Sequence, residues 1–172
     1  MTSIITEHPQ FFTATILDWK KLLKPDKYKD FIIGSLKFLV ENNRVKVNGF
    51  VIMDNHIHIL WQMMAGMKPE VVQRDFLKFT SQKIKQDLKK HHPAVLELFK
   101  VNAKDREYQF WQRNALSIEL TTFEMLKQKL EYIHYNPVRA GLCVLPEGYK
   151  YSTCRFYESG INDWDFVTHF ME

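Results

Sequence analysis

The stretch Met53-Asp54-Asn55-His56-Ile57-His58-Ile59-Leu60-Trp61 decides how the rest of the chain is read. In an extended strand successive side chains point to opposite faces, so His56 and His58 share one face of a sheet while Ile57, Ile59 and Trp61 take the other. Neutral imidazole is the commonest metal ligand a protein supplies, and two on one face can address a single ion. The apolar face would hold the strand rigidly enough to fix both rings. Alone, a His-x-His pair is more often two surface histidines than a metal site, so other residues must complete it.

Working outward, Arg44 to Ile52 reads as a strand, Met53-Asp54-Asn55 as a tight turn, and His56 to Gln62 as the returning strand of a hairpin. Upstream, Gln10 to Ile16 is rich in aromatic and β-branched residues and forms a first strand, with Phe11, Thr13 and Thr15 aligned on one face. After Lys24-Pro25-Asp26, an amphipathic helix from Tyr28 to Glu41 places Tyr28, Phe31, Ile32, Leu36, Leu39 and Val40 at spacings of three and four, and Asn42-Asn43 closes it. Downstream, a helix from Pro69 to His91 has Val71, Val72, Phe76, Phe79, Ile84 and Leu88 on its apolar side. Its polar side carries Lys78, Lys83, Lys85, Lys89 and Lys90, as readily a solvated face as a phosphate-contacting one. His91 and His92 suit the helix end as caps rather than ligands. The stretch from Pro93 to Asn114 is irregular, and its Phe110-Trp111-Gln112-Arg113 either clamps nucleotides or buries a tryptophan at a loop base. Ser117 to Leu120 reads as a short edge strand.

Composition sets bounds on this. With 172 residues, 45% hydrophobic and 14% aromatic, one domain with a full core is expected and disorder is not. A formal charge of +4 permits a polyanionic partner without demanding one. Cys143 and Cys154 form no metal-spaced pair, and Met1 to Glu7 lacks a basic region followed by an apolar run, so a reducing, cytoplasmic location is expected. No apolar stretch approaches the roughly 20 residues of a membrane span.

The second informative stretch begins at Thr121. Thr121 as N-cap and Glu124 three residues on make a capping box for a helix whose buried stripe is Phe123, Leu126, Leu130 and Ile133. Tyr132 lies well off that stripe, on a face shared with Met125, Gln128, Lys129 and Asn136. One helical turn apart, Tyr132 and Asn136 address the same external point, with a hydroxyl and a carboxamide oxygen. Pro137 biases Asn136 away from helical dihedrals and should end the helix there. His134 falls near the core stripe and reads as a packed histidine, and Tyr135 points sideways. Packed beside the His-x-His strand, this helix would give two nitrogens and an amide oxygen, leaving open positions on a divalent ion. Such a set suits Mg²⁺ or Mn²⁺ better than a closed, four-ligand Zn²⁺ site. A tyrosine hydroxyl there can attack a phosphodiester in line. A free phenol titrates near pH 10, so it needs help from the ion or a neighbouring base, with Gln128 or Lys129 orienting it.

These two stretches, Val51-Ile-Met-Asp-Asn-His-Ile-His-Ile-Leu60 and Tyr132-Ile-His-Tyr-Asn-Pro-Val-Arg-Ala-Gly-Leu142, with Phe110-Trp111-Gln112-Arg113 and Gly148-Tyr149-Lys150-Tyr151-Ser152 in support, resemble the REP-associated tyrosine transposases. That group is similar to the insertion-sequence-200-like single-strand transposases and falls among the HUH endonucleases, defined by a His-hydrophobic-His motif. The insertion-sequence relatives usually carry Gln where this chain has Asn136, so the asparagine points to the REP-associated branch.

The resemblance implies an α+β fold, a ferredoxin-like β-α-β-β-α-β sandwich with an antiparallel sheet and an added C-terminal tyrosine-bearing helix. It implies Mg²⁺ or Mn²⁺ on His56, His58 and Asn136, and Tyr132 as the nucleophile that forms a 5′-phosphotyrosine with single-stranded DNA and frees a 3′-hydroxyl. Residues 1–172 would form one such domain; the C-terminal extension 156–172 falls outside the resemblance, and its own Trp164 and Phe166 suggest that it packs back. The expected substrate is a repetitive palindromic element folded into a hairpin with a single-stranded flank, its phosphates held by Lys78, Lys83, Lys85, Arg113 and Lys129. A monomer is expected, with a homodimer as the alternative known from the insertion-sequence relatives. Two other readings of the same residues are a hairpin-binding module that does not cut, and a metal-dependent phosphodiesterase in which water attacks.

Overall fold

Alternating apolar residues in four segments build a single antiparallel sheet. The computed structural model describes residues 8–172, and the reading made of Met1 to Glu7 lies outside them. The strands are β1 (Gln10–Thr15), β2 (Val45–Ile52), β3 (His56–Met63) and β4 (Leu116–Glu119), in the order β2-β3-β1-β4. Helix α1 (Asp26–Glu41) connects β1 to β2, and α2 (Pro69–His91) with the short α3 (Pro93–Glu97) lies between β3 and β4. Every neighbouring pair is antiparallel, the arrangement of an α+β sandwich in which each helical crossover skips one strand.

The two faces of the sheet bury different partners. Phe12, Ala14, Phe50, Ile52, Ile57, Ile59 and Trp61 face α1 and α2, where Ile32, Leu36, Phe76 and Ile84 complete the main core. Phe12 stacks on Trp61 at 5.3 Å and Phe76 meets Trp61 edge-on at 5.7 Å. On the opposite face Phe11, Val51, Met53 and Leu60 pack against Leu126, Leu130 and Ile133 of α4 (Phe123–Arg139). Each such buried side chain contributes about 1.5–3 kcal/mol, enough for three of them to hold α4 across the sheet. The period-2 alternation of β3 therefore puts His56 and His58 on the face that α4 covers.

Helix α4 departs from its expected ends at both termini. Thr122, not Thr121, is the N-cap: it is extended, and its hydroxyl accepts from the Met125 N–H at 3.2 Å. Pro137 does not stop the helix, which runs on to Arg139. The stop is Gly141, at φ 73°. Its N–H donates to the Val138 carbonyl and that of Leu142 to the Pro137 carbonyl, a Schellman closure that needs proline's oxygen and not its missing N–H. Smaller differences are a β4 that begins one residue earlier than expected, and α3 within the stretch expected to be irregular.

Trp164 and Phe166 do pack back. Trp164 donates from its indole to the Ser152 carbonyl, Phe166 stacks on Phe50, and the Thr168 N–H donates to the Val47 carbonyl at 2.9 Å. The tail thus satisfies backbone groups of β2, which is otherwise an edge strand. Cys143 and Cys154 are both free thiols. No helix among the described residues is long and apolar enough to cross a membrane.

Candidate active site

Strand register positions the histidines. Thr13 lies opposite His58 and Thr15 opposite His56. The two rings stand edge to face with centroids 4.9 Å apart. Each uses Nδ1 locally: His56 pairs with Asn55 Oδ1 at 2.7 Å and His58 with Thr13 Oγ1 at 2.7 Å. An amide oxygen can only accept, so His56 Nδ1 is the donor and Nε2 keeps its lone pair. Burial lowers the pKa of His56, against the opposing effect of a hydrogen bond with Asn136. Burial also lowers that of His58, to about 3, helped by the charges of His56, Arg139 and Lys129. Both rings are therefore neutral near pH 7, the form that binds a cation.

Asn136 joins the pair, reaching His56 from α4 through a side-chain hydrogen bond. Among the described residues no cluster of three or more His, Cys, Asp or Glu could hold a metal, so the grouping is two imidazoles and a carboxamide. Its chemistry fits a divalent ion that keeps open positions, and not a closed zinc site.

Tyr132 lies against the same pair. Its ring meets His58 edge-on at 5.7 Å and Phe11 at 6.3 Å, while Phe11 stacks on His58 at 5.2 Å. At 45% exposure its outer side remains open to a ligand. Lys129 Nζ lies 5.8 Å from the Tyr132 ring centroid and 5.1 Å from that of Phe11. The Arg139 guanidinium lies 4.7 Å from the Tyr132 ring and donates to the Tyr132 carbonyl at 2.6 Å. His56, His58, Tyr132, Asn136 and Lys129 therefore converge, with two cations over the tyrosine.

The remaining basic residues do not join them. Lys78, Lys85 and Arg113 line a cleft of about 760 Å³ with Arg74, Arg106 and Tyr108. That cleft is linked to the histidines through backbone, since Gln112 N–H donates to the carbonyl of Thr15, the partner of His56. Lys83 is set apart, its Nζ 6.0 Å from the ring of Phe79, which stacks on Phe38 of α1. Phe110 and Trp111 are buried, and the Trp111 indole donates to Thr80 Oγ1, so this pair is core and no platform for bases. His134 is packed as expected, buried with Nε2 at 2.8 Å from Thr153 Oγ1.

Sequence reasoning missed Thr13, Asn55, Phe11 and Arg139 as members of the site. Arg139 carried a usable signal, because seven residues after Tyr132 is two helical turns on the same face. The others depend on strand pairing and on a turn conformation.

No family model matches the chain. A curated protein of Haemophilus influenzae, provisionally named a REP-associated tyrosine transposase, is 27% identical over 145 residues, which are 83% of this chain and 77% of that protein. The solved structure of a REP-associated tyrosine transposase bound to a REP hairpin superposes with a TM-score of 0.66, covering 96% of this chain and 88% of that one at 16% identity. The chain is thus similar in sequence to one protein given that name and in fold to another. A provisionally assigned transposase of Deinococcus radiodurans shares the fold with a TM-score of 0.52, covering 77% of this chain and 93% of its own at 9% identity. The likeness to the hairpin-bound REP-associated transposase is one of fold, and it runs from the sheet through most of the chain.

Proposed function

We propose that this protein is an enzyme that cuts and rejoins single-stranded DNA beside a hairpin, with Tyr132 as nucleophile. The observation that carries the reading is the edge contact between Tyr132 and His58, 5.7 Å between ring centroids, within one chain. The Tyr132 oxygen bonds to phosphorus, the bond from phosphorus to the 3′-oxygen of the preceding nucleotide breaks, and that oxygen takes up a proton as the phenol loses one. The result is a 5′-phosphotyrosine and a free 3′-hydroxyl. Attack by a second 3′-hydroxyl reverses the step and releases Tyr132. Lys129 and Arg139, over the tyrosine ring, hold the phosphate in line and offset its charge. A Mg²⁺ or Mn²⁺ ion held by His56, His58 and Asn136 would polarise a phosphoryl oxygen and stabilise charge on the leaving oxygen.

The cleft lined by Lys78, Lys85 and Arg113 holds backbone phosphates of the hairpin stem in this reading, because Gln112 joins it to the strand beside His56. The deciding assay incubates the protein with Mn²⁺ and hairpin DNA bearing a single-stranded flank, and resolves products on a denaturing gel. A covalent protein–DNA adduct that is lost in Tyr132→Phe is expected. Free fragments with no adduct would mean that water attacks, and binding without cleavage would mean a module that only recognises DNA.

A further inference from the structure

Immediately after β1 the chain makes a single tight turn, Leu17–Trp19, that no part of the proposed chemistry uses. Asp18 and Trp19 lie at φ 55° and 56°, a left-handed conformation that costs side-chain-bearing residues energy and persists only where surroundings impose it. Here the surroundings are visible. Ile16 N–H donates to the Asn55 carbonyl at 2.8 Å, Leu17 N–H to the Phe110 carbonyl at 2.8 Å, and Asn55 Nδ2 to the Trp19 carbonyl at 3.4 Å. The other end of the same carboxamide, Asn55 Oδ1, accepts from His56 Nδ1. One side chain therefore fixes both an imidazole of the site and the turn that carries the tryptophan.

The strained turn holds an indole out in solvent. Trp19 is 61% exposed, although its ring stands edge-on to His56 at 6.4 Å. An isolated exposed apolar residue needs no explanation, but this one sits on a backbone made rigid in an unfavourable conformation, beside a candidate catalytic residue. Beside it Lys20 pairs with Asp18 at 3.1 Å, so the charges next to the indole are matched and its ring is the feature left to a ligand. A rigid, exposed aromatic plane beside the site is the kind of surface on which unpaired bases stack, whatever their identity.

We infer that Trp19 is a stacking platform for one unpaired nucleobase of the single-stranded flank, next to the phosphate presented to Tyr132. The inference rests on the reading of the site as one that handles single-stranded DNA. It assigns the ligand as a nucleobase, recognised by its π-face and so tolerant of base identity.

The test uses a pool of DNA hairpins with single-stranded flanks of randomised sequence, and blunt hairpins without a flank, at fixed salt. Trp19→Ala is expected to weaken binding of flanked hairpins roughly 5- to 150-fold, to leave blunt hairpins unchanged, and to be partly rescued by Trp19→Phe. An abasic nucleotide moved along the flank should weaken wild-type binding most at one position, and that position should lose its effect in Trp19→Ala. Trp19→Gly relaxes the positive φ, so it should melt no lower than wild type while binding as poorly as Trp19→Ala. Equal binding by Trp19→Ala and wild type, equal losses on flanked and blunt hairpins, or a Trp19-dependent dimer in its place would overturn the inference. If the wild type forms the phosphotyrosine adduct and Trp19→Ala matches it in binding, only this inference falls. If the wild type binds no flanked hairpin, the functional reading falls with it.

Discussion

Thr13 contributes a single hydroxyl, yet it holds the nitrogen of His58 that the site does not use. Partners of this kind fix ring orientation, and their loss typically costs about 10- to 100-fold in metal affinity. Thr13→Val should keep the fold, since the strand position suits a β-branched residue, and should weaken Mn²⁺ binding by that factor in calorimetry; unchanged affinity would show that Thr13 does not orient the ring. The residues of the proposed chemistry, His56, His58, Tyr132 and Asn136, could be nominated because side-chain type and local spacing are written in the chain. Their supports were not. Thr13 and His58 stand 45 residues apart in sequence, and only the register of β1 on β3 brings them together. Trp19 carried no sequence signal at all, because its role follows from a backbone dihedral that nothing in Leu17-Asp18-Trp19 announces.

Among elements, α4 is the one whose placement matters most, and Gly49 sets how closely it approaches the sheet. A Cβ built at Gly49 would come 2.6 Å from Leu130 Cδ1 and 3.3 Å from Thr153 Oγ1. Leu130 is buried, so it has little room to yield. Gly49→Ala should cost about 1–3 kcal/mol by overpacking and, by shifting the helix that bears Tyr132 and Asn136, should lower adduct formation more than hairpin binding. Denaturant titration and the gel assay measure the two effects; a stable, fully active variant would mean that α4 has slack. The other helices are tied by Asp87, which accepts from Lys27 and from the Tyr28 hydroxyl, each at 2.8 Å. Burial alone would raise the Asp87 pKa, but these partners outweigh it and hold the carboxyl below its usual range. The unfolded chain thus takes up this proton first as pH falls. The stabilisation is complete above the ordinary aspartate pKa of about 3.9 and is lost on acidification through the lower folded value. In Asp87→Asn that acid-dependent part of the loss should be absent from melting curves recorded across the window; a curve parallel to wild type would refute the tie.

Element existence followed from periodicity, so β1, α1, β2, β3, α2 and α4 were legible, whereas the ends of α4 were not. Two adjacent threonines compete to cap its start, and the difference between them is the extended backbone of Thr122. At the other end proline reads as a stop, but Gly141 closes the helix through a carbonyl that proline retains. The basic stripe of α2 shows the same limit. Lys78 and Lys85 are two turns apart and share a cleft, while Lys83 is about 140° around the helix from Lys78 and joins the α1 side.

At the scale of the whole molecule, every proposed member of the site comes from one chain: β3 gives both histidines and α4 gives Tyr132 and Asn136. The account therefore predicts that a mixture of His56→Ala and Tyr132→Phe proteins forms no adduct, and that specific activity is independent of protein concentration. Restoration of activity in the mixture would instead require a site shared between two chains. The strand order β2-β3-β1-β4 and the packing of α4 on the sheet also explain how two informative stretches far apart in sequence are united. β3 lies inside the sheet, and α4 crosses the face on which its histidines stand.

The central claim, that the Tyr132 hydroxyl becomes the covalent partner of DNA, is tested most directly by proteolysis of the Mn²⁺-dependent adduct and mass spectrometry of the peptide spanning residues 130–139. The account predicts a nucleotide mass on Tyr132 and none on Tyr135. Cleaved DNA with an unmodified peptide, or the nucleotide on any other residue, would contradict it.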